Sequence, residues 1–232
     1  MIIFTSILLN LMFLAIGYLI GSANTSIIIS KILKNDVRNH HSNNAGATNS
    51  VRVLGKKMGA IILFIDILKT IASVSLAFGI LSWVNIHNDT SEYLYGVPMF
   101  AGIGTVLGHS FPIFFGFKGG KGVACSIGLI ISYNIVLLPI AAVFFFGVLF
   151  WKKYVSLASM LAAILLTPFL FISWMSESSI AFATNMQNLL PYSPLQGLIY
   201  LGALGLILWT HRGNILRLKR HEERKISFSK SK

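Results

Sequence analysis

The chain has 232 residues, of which 55% are apolar and 11% are charged. Soluble globular domains carry about 25% charged residues, so this composition excludes a water-soluble enzyme and an intrinsically disordered chain. The net charge is +12, which in so apolar a chain indicates membrane topology and anionic partners rather than nucleic acid.

Apolar stretches long enough to cross a bilayer recur along the chain; a helical span needs roughly 20 residues for a core of about 30 Å. The first covers residues 2–30 and has no Lys or Arg before it, which predicts a retained span rather than a signal peptide. Further apolar stretches occupy residues 58–83, 97–117, 122–133, 135–151, 155–174 and 194–210. The two stretches between 122 and 151 are short, so one long helix stays possible there.

The basic residues indicate how the chain is oriented. Loop 31–57 is rich in Lys and Arg, whereas loops 84–96 and 175–193 contain neither. With seven spans and an outside N-terminus, every basic residue except Lys69 faces the cytoplasm, as the positive-inside rule requires. The sequence therefore predicts an all-α, polytopic membrane helical bundle of about seven transmembrane helices with a cytoplasmic C-terminus. It forms a single domain over residues 1–232, with a basic cytoplasmic tail from about 213.

Two predicted cytoplasmic segments are rich in polar or small residues. The first, residues 36–52, is dense in Asn and Ser, which suits a solvated connector as well as a ligand site. The second, residues 108–124, sets three glycines around Lys121 just before an apolar helix. Glycine amides, a helix N-terminus and a lysine favour an anion site over the alternative, a hinge with a snorkelling lysine.

Several other polar residues admit more than one interpretation. Asp66 and Lys69 share a predicted helix face, where they could neutralise each other or contribute to a site. His109 in isolation is more often structural than catalytic. His211 and Asn214 lie where the last span meets the cytoplasm, and the basic residues beyond them are typical of a stop-transfer flank. The histidines have no carboxylate partners at ligand spacing, so the sequence predicts no metal site.

Five segments together resemble one family, the bacterial membrane acyltransferases that move a fatty acyl group from acyl phosphate to glycerol 3-phosphate (the PlsY family). The segments are YLIGS at 18–22, DVRNHHSNNAGATNSVRVLGKK at 36–57, LGHSFPIFFGFKGGKGVA at 107–124, YVSLAS at 154–159 and HRGNILRL at 211–218. The resemblance runs through nearly the whole chain. It implies a multi-pass fold in the bacterial cell membrane, with the active site facing the cytoplasm.

The resemblance also implies functional residues. By position, it assigns catalytic roles to Ser42, Arg52, Lys121, His211 and Asn214. We expect substrate binding from a second set: Asn44, Gly46, Thr48, Asn49, His109, Gly119, Gly120 and Gly122. Glu223 matches a glutamate that supports the family's structure. No metal and no cofactor are expected; the expected partners are glycerol 3-phosphate, acyl phosphate, membrane lipid and the soluble enzyme that forms the acyl phosphate.

The chain departs from the family's pattern at several positions. His41 and Asn43 stand where the family usually has glycines on either side of its serine, and residues 23–24 replace a Pro that usually follows the first Gly-Ser. Thr70 and His221 also stand in place of glycines. These departures leave open a reduced activity or an altered substrate preference.

The implied mechanism needs no covalent intermediate, because acyl phosphate is already activated. Arg52 and Lys121 offset the charge of two anionic substrates, while Ser42 and Asn214 orient the acceptor hydroxyl. The phosphate of the donor is the expected proton acceptor, with His211 as the alternative. Two other functions stay open: an anion or organophosphate transporter, and a weakly active family member that serves as a membrane partner.

Overall fold

The computed structural model describes residues 2–87, 94–177 and 194–226, and the regular structure within these ranges is entirely helical. The predicted all-α class is therefore confirmed for this part of the chain. The α-helices are α1 (Ile2–Ser22), α2 (Thr25–Ile32), α3 (Ala47–Leu54), α4 (Lys56–Ile86), α5 (Met99–Ser110), α6 (Val123–Tyr133), α7 (Leu137–Lys152), α8 (Val155–Leu166), α9 (Ser173–Glu177), α10 (Leu195–Thr210) and α11 (Arg212–Lys219). Short 3₁₀ segments lie at Val37–Asn39, Ile113–Phe115 and Thr167–Phe171.

Among the described residues, two apolar helical stretches have the length and composition to cross a membrane. They are Ile2–Ile32 and Lys56–Ile86, each of 31 residues. Shorter apolar helices lie at Met99–Phe115, Val123–Tyr133, Leu137–Lys152, Val155–Phe171 and Gly197–Thr210. These stretches correspond in position to those expected from hydropathy, while the number of membrane spans and the orientation of the termini stay predictions.

The first apolar stretch is broken near its polar end. Asn24 has an extended backbone (φ −74°, ψ 107°), and its Oδ1 accepts the N–H of Ile27 at 3.2 Å to cap α2. Asparagine is a favoured N-cap because its side chain satisfies a first-turn amide that has no partner within the helix. The chain therefore turns at the end of α1, beside the polar segments of the neighbouring helices.

α1 packs closely against α5 through facing glycines. A Cβ on Gly17 or Gly21 would overlap the backbone of α5, and a Cβ on Gly104 or Gly108 would overlap the backbone of α1. Small residues let helix backbones approach each other in a membrane, where packing replaces the hydrophobic drive between helices. This contact holds the end of α5, and with it His109, against the break in the first stretch.

The apolar region between residues 122 and 151 forms two helices rather than one. α6 ends at Tyr133, and Asn134 is extended. The Asn134 Oδ1 accepts the N–H of Val136 at 2.9 Å, and its Nδ2 donates to the Met175 carbonyl at 3.0 Å. An asparagine that binds nearby backbone competes with helix continuation. The long-helix alternative is therefore wrong.

The bundle has an apolar core and an apolar exterior. Residues of α4, α6, α8 and α10 meet in the main core cluster, among them Val74, Leu129, Leu166 and Ala203. On the outside, Trp151 at the end of α7 is 73% exposed. Large exposed apolar surfaces mark sites of membrane or protein contact, so this exterior fits helices that face lipid.

Candidate active site

Three segments that are distant in the sequence meet at one end of the bundle. The Ala45 N–H donates to the Gly119 carbonyl at 3.2 Å, which joins the first polar segment to the second. The hydroxyl of Thr210, at the end of α10 and directly before the third segment (residues 211–223), donates to the Lys121 carbonyl at 3.1 Å. The segments that carry the predicted site residues are therefore neighbours in space.

Lys121 joins the second segment to the third through a side-chain hydrogen bond. Its Nζ donates to Asn214 Oδ1 at 2.6 Å. Burial lowers the pKa of Lys121 to about 8. The positive charges of Arg217 and Arg52 act in the same direction, and Glu223 opposes them. A buried amine of this kind is still mostly protonated at pH 7 and can attract a phosphate.

Glu223 organises the third segment by accepting three hydrogen bonds. Its Oε1 accepts from Asn214 Nδ2 at 2.7 Å and from the Ser156 hydroxyl at 2.9 Å, and its Oε2 accepts from Arg217 Nε at 2.8 Å. Burial by itself would raise the pKa of Glu223, but these hydrogen bonds outweigh it and hold the pKa below its usual range. With its Nδ2 held by Glu223, Asn214 must present its Oδ1 to Lys121.

His211 is buried between α10 and α11, with 2% of its surface exposed. Its Nδ1 lies 2.8 Å from the Ile207 carbonyl, and because a carbonyl only accepts, Nδ1 carries the proton and Nε2 is unprotonated. Burial, with the positive charge of Lys121, lowers the pKa of His211 to about 4. The ring is therefore neutral at pH 7 and only weakly basic.

The first segment forms a loop that leads into α3. The Ser42 N–H donates to Asn49 Oδ1 at 3.3 Å, and Asn49 Nδ2 donates to the carbonyls of Val37 and His40 at 2.8 and 3.1 Å. The buried Asn49 amide is thus engaged with the loop backbone and shapes it around Ser42, which is exposed.

The other predicted residues of this segment lie around the same loop. Thr48 and Arg52 are exposed on α3, Asn44 is half-buried, and Gly46 is the residue that precedes α3. The charge of Arg52 contributes, as the smallest of the causes, to lowering the pKa of Lys121. The two cations expected to hold the phosphates therefore influence each other electrostatically.

The glycine segment before α6 is packed against His109. The Gly120 N–H donates to the His109 carbonyl at 3.0 Å, so this amide is not available to an anion. A Cβ on Gly119 would overlap the His109 carbonyl, and one on Gly120 would overlap the His109 ring. Gly122 precedes α6 with φ +80°. Lys121 and the first-turn amides of α6, which have no partner within the helix, are candidate anion donors of this segment.

His109 belongs to a buried polar group that includes Asp66, Lys69 and Cys125. By spacing, Asp66, His109 and Cys125 could hold a metal ion, because their donor atoms lie within 4.8 Å of one another. However, Lys69 Nζ lies 2.8 Å from Asp66 Oδ1 and 3.3 Å from His109 Nδ1, so a protein cation already balances the carboxylate. The group fits a buried ion pair better than a metal centre.

A family model described as glycerol-3-phosphate acyltransferase matches residues 11–221. The chain belongs to this family. The glycerol-3-phosphate acyltransferase of Mycoplasmopsis synoviae (strain 53) is 46% identical over 229 residues, which cover 98% of this chain and 99% of the relative. That of Aquifex aeolicus (strain VF5) is 39% identical over 209 residues, covering 87% and 91%. The family resemblance seen in the motifs is therefore confirmed.

Solved structures of the family have the same fold. A crystal structure of PlsY, an integral membrane glycerol 3-phosphate acyltransferase, in the glycerol 3-phosphate form superposes with a TM-score of 0.72 at 34% identity, covering 94% of this chain and 96% of that chain. The lysophosphatidic acid form gives a TM-score of 0.69 at 33% identity, covering 94% and 95%. At this identity and coverage, the similarity extends over nearly the whole length of both chains.

Three departures from the family's glycines have a common structural feature. His41, Asn43 and His221 have positive φ angles of 52°, 51° and 59°. The left-handed region suits glycine because a Cβ there approaches the following carbonyl oxygen, although asparagine tolerates it. The loop around Ser42 thus keeps a backbone shape that glycine favours, with some added strain. At a fourth departure, Thr70, the neighbouring helix α6 has a glycine, Gly128, against the threonine side chain. A Cβ added to Gly128 would lie only 2.8 Å from the Thr70 Cβ.

The structure also adds residues to the candidate site that the sequence did not single out. Ser156 lies in one of the family-like segments, but nothing local marks it as a ligand of Glu223 67 residues later. Arg217 was placed in a basic flank, whereas its 2.8 Å ion pair with Glu223 makes it part of the site. Its position three residues after Asn214, on one helix face, is the signal that could have indicated this.

Proposed function

We propose that this chain transfers a fatty acyl group from an acyl phosphate to the 1-hydroxyl of glycerol 3-phosphate, which gives lysophosphatidic acid and inorganic phosphate. One observation carries the proposal: Lys121, just before α6, binds Asn214, which follows the buried His211 by three residues. A lysine, free helix amides and an amide side chain suit the binding of phosphate groups beside a reacting hydroxyl. The family membership of the chain supports the same activity.

The chemistry requires two anions to meet. The acceptor oxygen forms a bond to the carbonyl carbon of the acyl phosphate, the bond from this carbon to the bridging oxygen breaks, and phosphate departs with the electron pair. Lys121 and Arg52 offset the repulsion between the substrates and stabilise the charge on the departing phosphate. Arg52 can make a bidentate contact, whereas Lys121 acts as a compact charge. Asn214 and Ser42 position the acceptor.

The proton of the acceptor hydroxyl goes to the departing phosphate. His211 is the alternative acceptor, since its Nε2 is unprotonated. However, the pKa of His211 is lowered to about 4, so the ring binds a proton weakly near pH 7. Phosphate is the stronger base under these conditions. His211 is therefore assigned a positioning role through its neutral ring. Ser42 is not assigned as a nucleophile, because no hydrogen bond joins its hydroxyl to a base among the described residues.

The enzyme works in the bacterial cell membrane as a multi-pass protein of seven spans, with the N-terminus outside and the C-terminus in the cytoplasm. Glycerol 3-phosphate reaches Lys121 from the cytoplasm, and the acyl chain lies between helices and enters from the lipid. Membrane lipid is thus a partner, as is the soluble enzyme that supplies the acyl phosphate. The basic loops support this orientation, and tags on the two termini would test it.

Purified protein in lipid vesicles, supplied with palmitoyl phosphate and glycerol 3-phosphate, is expected to form lysophosphatidic acid. Lys121→Ala should lower kcat/KM by about 10²- to 10³-fold, the usual cost of removing one charge-stabilising donor. Lys118→Ala is the matched control, because Lys118 is an exposed lysine of the same loop and should have little effect.

Two results would overturn the proposal. Uptake of labelled glycerol 3-phosphate into vesicles without product formation would indicate the transporter alternative. Inactivity of a folded wild-type protein would favour a family member that serves as a membrane partner.

A further inference from the structure

The end of α1 is capped from another helix. Lys69 of α4 reaches the break after α1, where its Nζ donates to the Gly21 carbonyl at 3.2 Å and to the Ala23 carbonyl at 3.4 Å. The last carbonyls of a helix have no partner within it and need an external donor when buried. The Lys69 side chain is only 10% exposed. Its ammonium therefore fixes the position of the broken end.

Asp66, one turn earlier on α4, holds this ammonium in place. The Asp66 carboxylate is fully buried; its Oδ1 lies 2.8 Å from Lys69 Nζ and accepts the Thr25 hydroxyl at 2.9 Å. Thr25 is the first residue of α2, so the pair touches both sides of the break. Buried ion pairs are costly to desolvate and contribute little stability, but their geometry is specific. The pair is thus better suited to defining positions than to holding helices together.

His109 connects this pair to the active-site loop. Its Nδ1 lies 3.3 Å from Lys69 Nζ. Its carbonyl accepts the Gly120 N–H at 3.0 Å and Asn24 Nδ2 at 3.1 Å. Because Gly120 directly precedes Lys121, a continuous series of polar contacts runs from the ion pair on α4 to the lysine of the site.

We propose that Asp66 and Lys69 are positioning residues for the reaction: they hold the break after α1 and His109 so that the Gly119–Gly120 backbone sets Lys121 against Asn214. In this arrangement, Asp66 and Lys69 act on Lys121 only indirectly, through His109, and do not contact the reacting atoms. This inference rests on the proposed acyl transfer.

The test is a double-mutant cycle with Lys121. Removing Lys69 alone would leave a buried carboxylate without its partner, so the main variant combines Asp66→Asn with Lys69→Met and is neutral. We expect it to fold, and to lower kcat/KM by about 10- to 100-fold through misplacement of Lys121. In a Lys121→Ala background, the same double substitution should lower kcat/KM by less than about 3-fold. The reason is that the effects of substitutions at residues that act through one another are not additive.

The matched control is Ser73→Ala with Thr105→Val. This pair also links α4 to α5 inside the bundle, through a hydrogen bond of 2.7 Å, but the other partners of the two hydroxyls are the carbonyls of Thr70 and Ala101 rather than Lys69, His109 or the residues of the break. Its loss should lower thermal stability and leave kcat/KM unchanged. A second readout is independent of activity: amide hydrogen exchange in residues 116–122 should accelerate in the Asp66 and Lys69 variant and not in the control.

The outcomes separate the two proposals. If wild-type protein forms no lysophosphatidic acid, the proposed function fails. The positioning role is overturned if the wild type is active and the folded neutral variant keeps its full kcat/KM. It is also overturned if the neutral double substitution lowers kcat/KM by the same factor in the wild-type and in the Lys121→Ala background. Should the neutral variant not fold, Lys69→Arg retains the charge with a different reach, and the same cycle with Lys121→Ala decides.

Discussion

Lys121 and Asn214 are 93 residues apart in the sequence, and the Lys121 Nζ lies 2.6 Å from Asn214 Oδ1. This contact brings the second and third polar segments into one site. It also sets the direction in which each side chain points, because Glu223 holds the other end of the Asn214 amide at 2.7 Å. The site is therefore a connected set of polar contacts in which one change should be transmitted to its neighbours.

The first prediction concerns alkaline pH. Since burial lowers the pKa of Lys121 to about 8, and the protonated amine is the form that attracts phosphate, kcat/KM should fall as the pH rises above about 8. Lys121→Arg keeps its charge throughout this range and should move the decline to higher pH, at reduced activity. A profile of kcat/KM between about pH 6 and 10 tests this. An unchanged alkaline decline in the arginine variant would show that another group titrates.

The second prediction concerns Glu223. Its pKa is held below its usual range in the folded protein, so the carboxylate contributes stability that is present above the ordinary pKa and lost as the pH falls through the lowered one. Glu223→Gln should lower the melting temperature at pH 7 and reduce the loss of stability in acid. Thermal unfolding of both proteins at several pH values tests this. Parallel curves would contradict a role for the Glu223 charge.

Glu223→Gln should also lower kcat by about 10-fold, because the Asn214 amide loses its charged acceptor and can turn away from Lys121. Glu222, the neighbouring acidic residue, is exposed, so Glu222→Gln serves as the control. Equal effects of the two substitutions would indicate that general charge, rather than the contact with Asn214, matters.

The third prediction concerns the loop around Ser42. Asn43 has φ 51°, a conformation open to asparagine and glycine but strained for a β-branched residue. Asn43→Val should therefore distort the loop and lower kcat/KM by about 10-fold or more. Asn43→Gly should retain activity. Steady-state kinetics of the two variants provide the test, and equal activity in both would show that the backbone conformation at this position is unimportant.

The fourth prediction concerns the glycines before α6. Gly120→Ala places a methyl group into the His109 ring in a buried position, and overpacking of this kind costs about 1–3 kcal/mol. Both the melting temperature and kcat/KM should fall. Gly205→Ala in α10 is the control, because a Cβ there meets no atom within 4 Å. If the two variants behaved alike, the close approach of Gly120 to His109 would not be needed.

Hydropathy and charge alone predicted most of the helical segments. This prediction succeeded because the backbone N–H and C=O groups of a membrane helix form their hydrogen bonds within the helix. A local run of apolar residues is therefore sufficient to define such a helix. The same local signal failed at Asn24, where the first apolar stretch is broken. It left 122–151 undecided, and the two-helix form depends on Asn134 binding the Met175 carbonyl 41 residues away.

By itself, the sequence determined that this is a helical membrane protein, which family it resembles, and which polar segments are expected to carry its chemistry. Only the tertiary structure decided how those segments act on one another: that Asn214 turns its oxygen to Lys121, that Gly120 gives its amide to His109, and that Lys69 caps the end of α1. The reason is physical. Apolar periodicity is a property of neighbouring residues, whereas a hydrogen bond between distant segments depends on how whole helices pack.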